Sequence, residues 1–154
     1  MTKIGLVAAI ALTAAATGIA SAQSPAAGLT KKPAGVTAVE FLDMAFNQKK
    51  VDDALARYVA APYIQHNPQV PDGVEGARIG LGGLLKAAPA FHYEFKQVLV
   101  DGDLVAVHSK ITSSPTDRGT AVVDIFRVKR GKLVEHWDVL QAVPETASNK
   151  NTMF

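Results

Sequence analysis

TAVVDIFRVKRGKLVEHWDVLQ, residues 120–141, reads as two β-strands folded back on a two-residue turn. Thr120 to Lys129 is rich in β-branched and aromatic residues, Arg130-Gly131 breaks the run, and Lys132 to Gln141 resumes it. Strand alternation puts Val122, Asp124, Phe126 and Val128 on one face of the first strand. A carboxylate among three apolar neighbours loses hydration, which raises its proton affinity towards the range useful for acid or base work. The alternative is an Asp124 paired with Arg127 or Arg118, or bonded to a buried backbone group. On the second strand His136 and Asp138 share one side and Glu135 and Trp137 the other, so one pair or the other lines a pocket.

Upstream the strand pattern continues. Leu104 to Thr112 is a further strand, followed by the loop Ser113 to Gly119. Asp101-Gly102-Asp103 is a hairpin signal, and the segment from Phe91 to Phe95 alternates cleanly. His108 shares a face with Leu104 and Ala106. If that face points inward, the hairpin brings His108 and Asp124 onto one wall, where imidazole and carboxylate divide acid and base roles. Taken alone, His108 reads as a core histidine bonded to a backbone carbonyl.

Before Phe91 the period is helical. Thr37 is a candidate cap for a first helix, with Val39, Leu42, Ala45 and Phe46 at three- and four-residue spacing. A second begins near Val51, where Asp52 and Asp53 suit the positive end of the helix dipole, and Pro62 stops it. Tyr63-Ile64-Gln65-His66-Asn67-Pro68 is a short strand or turn, and a loop histidine such as His66 is a candidate site residue. A third helix runs from about Glu75 to Lys86, with Ile79, Leu81, Leu84 and Leu85 as its apolar set; Gly80, Gly82 and Gly83 weaken it and Pro89 ends it. Helices followed by hairpin-connected strands predict an α+β domain, helices on one face of a curved antiparallel sheet. The conical space between them suits a small apolar ligand.

The N-terminus has the export pattern: Met1-Thr2-Lys3, an apolar run from Ile4 to Ile19, then Ala20-Ser21-Ala22. The expected organisation is a signal peptide over 1–22, a flexible leader over 23–34, the domain over 35–143 and a polar tail over 144–154. Cleavage after Ala22 predicts a periplasmic or secreted protein with no stable membrane anchor. Removing Lys3 takes the net charge from +2 to near +1, with both signs interleaved, which argues against nucleic acid as a partner. The chain has no cysteine, so thiol chemistry, Cys-based metal sites and a disulfide framework are excluded. His66, His108 and His136 match no metal-ligand spacing, and neither a phosphate-cradling Gly loop nor a G-x-S-x-G elbow is present. No metal and no cofactor are expected.

The stretch from Thr120 to Gln141, and YIQHNPQVPDGVEG from Tyr63 to Gly76, resemble the SnoaL-like polyketide cyclases and the related predicted SnoaL-like aldol-condensation enzymes. The resemblance covers about Val36 to Val143 and implies the cone-shaped fold shared with nuclear transport factor 2 and ketosteroid isomerase. It implies cofactor-independent aldol condensation, cyclisation or isomerisation of a small hydrophobic carbonyl compound, and a homo-oligomer. Asp124 matches the family's acid/base aspartate and His108 is the match for its histidine. Tyr63, His66, His136, Trp137 and Asp138 fall on pocket or motif positions. An exported member of such a fold is alternatively a ligand-binding or dimerisation module without catalysis.

Overall fold

The computed structural model describes residues 32–154. The predicted signal peptide and most of the leader lie outside the described residues. The elements run α1 (Ala34–Leu42), a π-helical turn (Asp43–Asn47), α2 (Val51–Tyr58), β1 (Val59–Gln65), α3 (Gly73–Ala87), β2 (His92–Asp101), β3 (Leu104–Thr112), β4 (Thr120–Lys129) and β5 (Lys132–Ala142). The strands form one curved, open five-stranded sheet in the order β1-β5-β4-β3-β2. β2 to β5 are antiparallel neighbours, and β1 adds in parallel to β5, so the sheet is mixed.

The β4–β5 hairpin forms as its sequence dictates. Arg130 (φ 53°) and Gly131 (φ 77°) both take positive φ, which matches the right-handed twist of the flanking strands in a two-residue turn. On the helix side of the sheet Val105 and Val107 of β3 and Val122 and Phe126 of β4 are almost fully buried. They pack against Ala38, Phe41 and Leu42 of α1 and Phe46 of the π-turn. Phe41 meets Phe126 edge-on, with centroids 5.9 Å apart.

Three local expectations are corrected. Thr37 does not cap α1: the helix begins three residues earlier, after Pro33, and Thr37 is buried within it with its hydroxyl donating to the Pro33 carbonyl. Pro62 does not stop α2, because the chain turns extended at Val59 and Pro62 lies within β1. That position is tolerated because β1 is an edge strand whose register on β5 breaks between Val59 and Ile64. In α3 only half of the predicted apolar set faces inward: Leu81 and Leu85 pack against the core, Ile79 and Leu84 are exposed, and the fully buried positions are Gly76 and Ala77. A Cβ on Gly76 would lie 2.0 Å from the Pro71 carbonyl oxygen. The glycine that weakens the helix is what lets the preceding loop lie against it.

Candidate active site

Between the sheet and the helices lies a cavity of about 300 Å³. Its walls are mostly apolar, and its polar groups come from β1, the loop after it, β2, β4 and β5. Asp124, 3% exposed, stands at its centre. The Tyr93 hydroxyl donates to Asp124 Oδ2 at 3.1 Å, and His136 Nε2 faces Oδ1 at 3.1 Å. The His136 ring stacks on Phe126, centroids 4.7 Å apart.

The hydrogen bonds around His136 fix where one proton must be. The backbone N–H of Asn67 donates to Gln65 Oε1 at 2.9 Å, which orients that amide with its oxygen towards the histidine. His136 Nδ1, 3.0 Å from the same oxygen, is therefore the protonated ring nitrogen. A proton must then also lie between Nε2 and Asp124 Oδ1, since two lone pairs would otherwise face each other. The pair is either imidazolium with carboxylate or imidazole with carboxylic acid, and in both forms it holds one movable proton.

Beside it, Asn67 Nδ2 donates to Asp138 Oδ2 at 2.7 Å. Asp124, His136 and Asp138 each present a ligand atom within 4.8 Å of the others, the one group among the described residues close enough to hold a cation. Asp124 and His136 bond each other and are further bonded by Tyr93 and Gln65, whereas Asp138 is bonded through Oδ2 by Asn67 alone. Tyr63 also lines the cavity and is 4% exposed, and its hydroxyl has no hydrogen-bond partner among the described residues. Burial, with the nearby Asp124 and Asp138 carboxylates, pushes the Tyr63 and Tyr93 hydroxyls well above the ordinary phenol value. Both remain proton donors at neutral pH.

The sequence expectations divide cleanly across the sheet. Asp124, His136, Asp138 and Tyr63 line the cavity. His108 does not join Asp124, and this expectation is corrected. In the β3–β4 register Asp124 pairs with Val107 and His108 with Val123, so the two side chains leave opposite faces. The grouping of His108 with Leu104 and Ala106 was right, but that face is the outer one. There the His108 ring lies 6.1 Å from the Phe154 ring, over which the Lys96 and Lys110 ammonium groups also sit.

Trp137 and His66 are on the outer face too. Their rings stack at 4.6 Å and 2°, and His66 Nε2 donates to Glu135 Oε1 at 3.0 Å. Arg127 bonds Glu135 and Asp103 on the same face. Three residues of the site were missed as individuals: Gln65, Asn67 and Tyr93. For Tyr93 the signal was present, because strand alternation puts it on one face with Phe91 and Phe95. For Gln65 and Asn67 the signal lies in the pairing of two motifs. The Gln65-His66-Asn67 run reads Glu135-His136-Trp137-Asp138 residue by residue: Gln65 meets His136 inside, His66 meets Glu135 and Trp137 outside, and Asn67 meets Asp138 inside.

A helix-covered curved sheet enclosing an apolar cavity with a buried Asp–His pair defines a class of small α+β domains. The SnoaL-like domain matches residues 38–136, and the chain belongs to this family, consistent with the nuclear transport factor 2-like superfamily. Among solved structures it is similar to a candidate polyketide cyclase from Bacillus cereus ATCC 10987, at 26% identity over 68% of this chain and 71% of that one, TM-score 0.58. TsrD from Streptomyces laurentii matches at 21% identity, covering 71% of this chain and 90% of its own, TM-score 0.59. A candidate polyketide cyclase from Acidithiobacillus ferrooxidans matches at 18% identity over 74% and 91%, TM-score 0.61. At these last two identities the likeness speaks for the fold. No curated protein matches at a significant level.

Proposed function

We propose that this chain is a cofactor-independent acid–base catalyst acting on a small hydrophobic carbonyl compound, as a cyclase of the aldol type or an isomerase. The observation that carries the reading is the buried Asp124–His136 pair, with Nε2 and Oδ1 3.1 Å apart inside a mostly apolar cavity. Asp124 takes a proton from the carbon next to the carbonyl. The C–H electron pair delocalises into an enolate, whose oxygen accepts the hydrogen bond of the Tyr63 hydroxyl. Return of the proton to another carbon is isomerisation. Attack of the enolate on a second carbonyl forms a C–C bond, and the new alkoxide takes back the proton held by Asp124. His136 orients and polarises Asp124, the part first assigned to His108. Exclusion of water by the aromatic walls strengthens each of these interactions.

The export pattern of residues 1–22 supports a periplasmic or secreted location, with cleavage after Ala22. The exposed Leu99 and Val139 on the strands of the open sheet support a homo-oligomer. The test of the chemistry is deuterium incorporation next to the carbonyl of 2-tetralone in heavy water, followed by NMR. The chain should accelerate exchange above buffer, and Asp124→Asn should lower the rate by about 10²–10⁴-fold. Exchange no faster than buffer with a range of bound ketones would leave a binding module without catalysis.

A further inference from the structure

The cavity's charge does not balance. Asp124 and His136 share one proton, so together they are neutral in either form. Asp138 then leaves one uncompensated negative charge, and none of the described residues lining the cavity is Lys or Arg. Asn67 donates to Asp138 Oδ2, while no group of the described residues donates to Oδ1. The rings of Phe41, Phe46, Phe91, Tyr93 and Phe126 line the same cavity. A carboxylate in a cavity walled by aromatic rings attracts a cation twice, through the ion pair and through the ring quadrupoles. A second group lines the same space: Tyr63 is 4% exposed, and its hydroxyl, without a partner among the described residues, is a donor for an acceptor on the ligand.

We propose that the ligand is a cationic amine: an apolar body carrying a protonated nitrogen that seats on Asp138 and an acceptor oxygen that reaches Tyr63. This rests on the reading of the cavity as the reacting site and names the class of molecule it takes. An anionic ligand meets an unpaired carboxylate with no compensating base and is rejected. A neutral ligand fills the aromatic walls but leaves the Asp138 charge uncompensated.

The experiment compares three probes that share one bicyclic body: 2-aminotetralin, 2-tetralol and tetralin-2-carboxylate. Each is titrated into the purified chain at pH 7 and low salt, with affinity read by calorimetry or ligand-observed NMR. The amine should bind at least about tenfold more tightly than the alcohol, and the carboxylate should not bind detectably. Asp138→Asn should bring the amine to within about twofold of the alcohol while leaving the affinity of the alcohol unchanged. Equal affinity of amine and alcohol, tightest binding of the carboxylate, or no binding of the amine overturns the proposal. The ranking of the three probes on the unaltered chain decides the matter even where the variant does not fold. An amine preference in a chain that fails to exchange 2-tetralone would sink the acid–base reading alone. Exchange without an amine preference would sink this one alone.

Discussion

Asp124 has two hydrogen-bond partners, and they act differently. His136 polarises one oxygen of the carboxylate that takes the substrate proton, whereas Tyr93 donates to the other oxygen and fixes the carboxylate plane. Tyr93 is itself placed by Asn47, whose side-chain amide donates to the Tyr93 carbonyl at 3.1 Å and accepts its N–H at 2.9 Å, as a neighbouring strand would. Tyr93→Phe leaves Asp124 Oδ2 buried without a donor. It should cost about 1–3 kcal/mol of stability in denaturant unfolding and slow exchange of 2-tetralone without abolishing it. Wild-type stability and rate in this variant would mean that Tyr93 neither supports nor orients Asp124. At this scale the sequence was a good guide to Asp124, whose three apolar strand-mates announce a buried carboxylate. It was a poor guide to His108, because alternation says which residues share a face and not which face is inside.

At the scale of elements, the cavity wall formed by Gln65 and Asn67 hangs on contacts made behind it. β1 is an edge strand with a broken register, and its last rungs on β5 are Ile64 with Glu135 and Gln65 with His136. The His66 N–H continues the ladder to the His136 carbonyl at 2.9 Å, and the His66 ring is clamped between Trp137 and Glu135. His66→Ala should loosen this corner by about 0.5–1.5 kcal/mol and speed solvent exchange of the His136 Nδ1 proton, read by NMR. A His136 signal unchanged in that variant would show that the outer clamp is not what positions the inner pair. The clamp is also pH-dependent. Hydrogen bonds from Arg127 first and His66 second hold the Glu135 carboxyl below its ordinary value of 4.5. A carboxyl lowered in the folded state stabilises fully above its unfolded value and loses that contribution as pH falls through the lowered folded value. The His66–Trp137 stack should therefore persist at neutral pH and open only on acidification below about pH 4.5, a transition visible in Trp137 fluorescence.

For the whole molecule, the helices cover one face of the sheet and leave strand residues Leu99 and Val139 about two-thirds exposed on the protein. Charged substitution at both, Leu99→Glu with Val139→Lys, should convert an associating chain into a monomer in sedimentation equilibrium while leaving the cavity intact. A chain that sediments as a monomer without substitution would remove the oligomer from the account. The α+β class, the four-strand meander and the helices were legible because period and punctuation are local properties. The parallel addition of β1 was not, because nothing within Val59–Gln65 specifies the strand it will join.

The sequence by itself determined the β4–β5 hairpin, the burial of Asp124 among Val122, Phe126 and Val128, and the family, since each depends on residues close together in the chain. Only the tertiary structure decided that His136 rather than His108 is the partner of Asp124, and that Gln65 and Asn67 complete the site. Those assignments depend on which face of the sheet the helices cover and on the register between strands some 70 residues apart, such as Gln65 and His136, separated by 71. Alternation is unchanged when a whole strand face is turned from core to solvent, so packing against α1 and the π-turn had to choose.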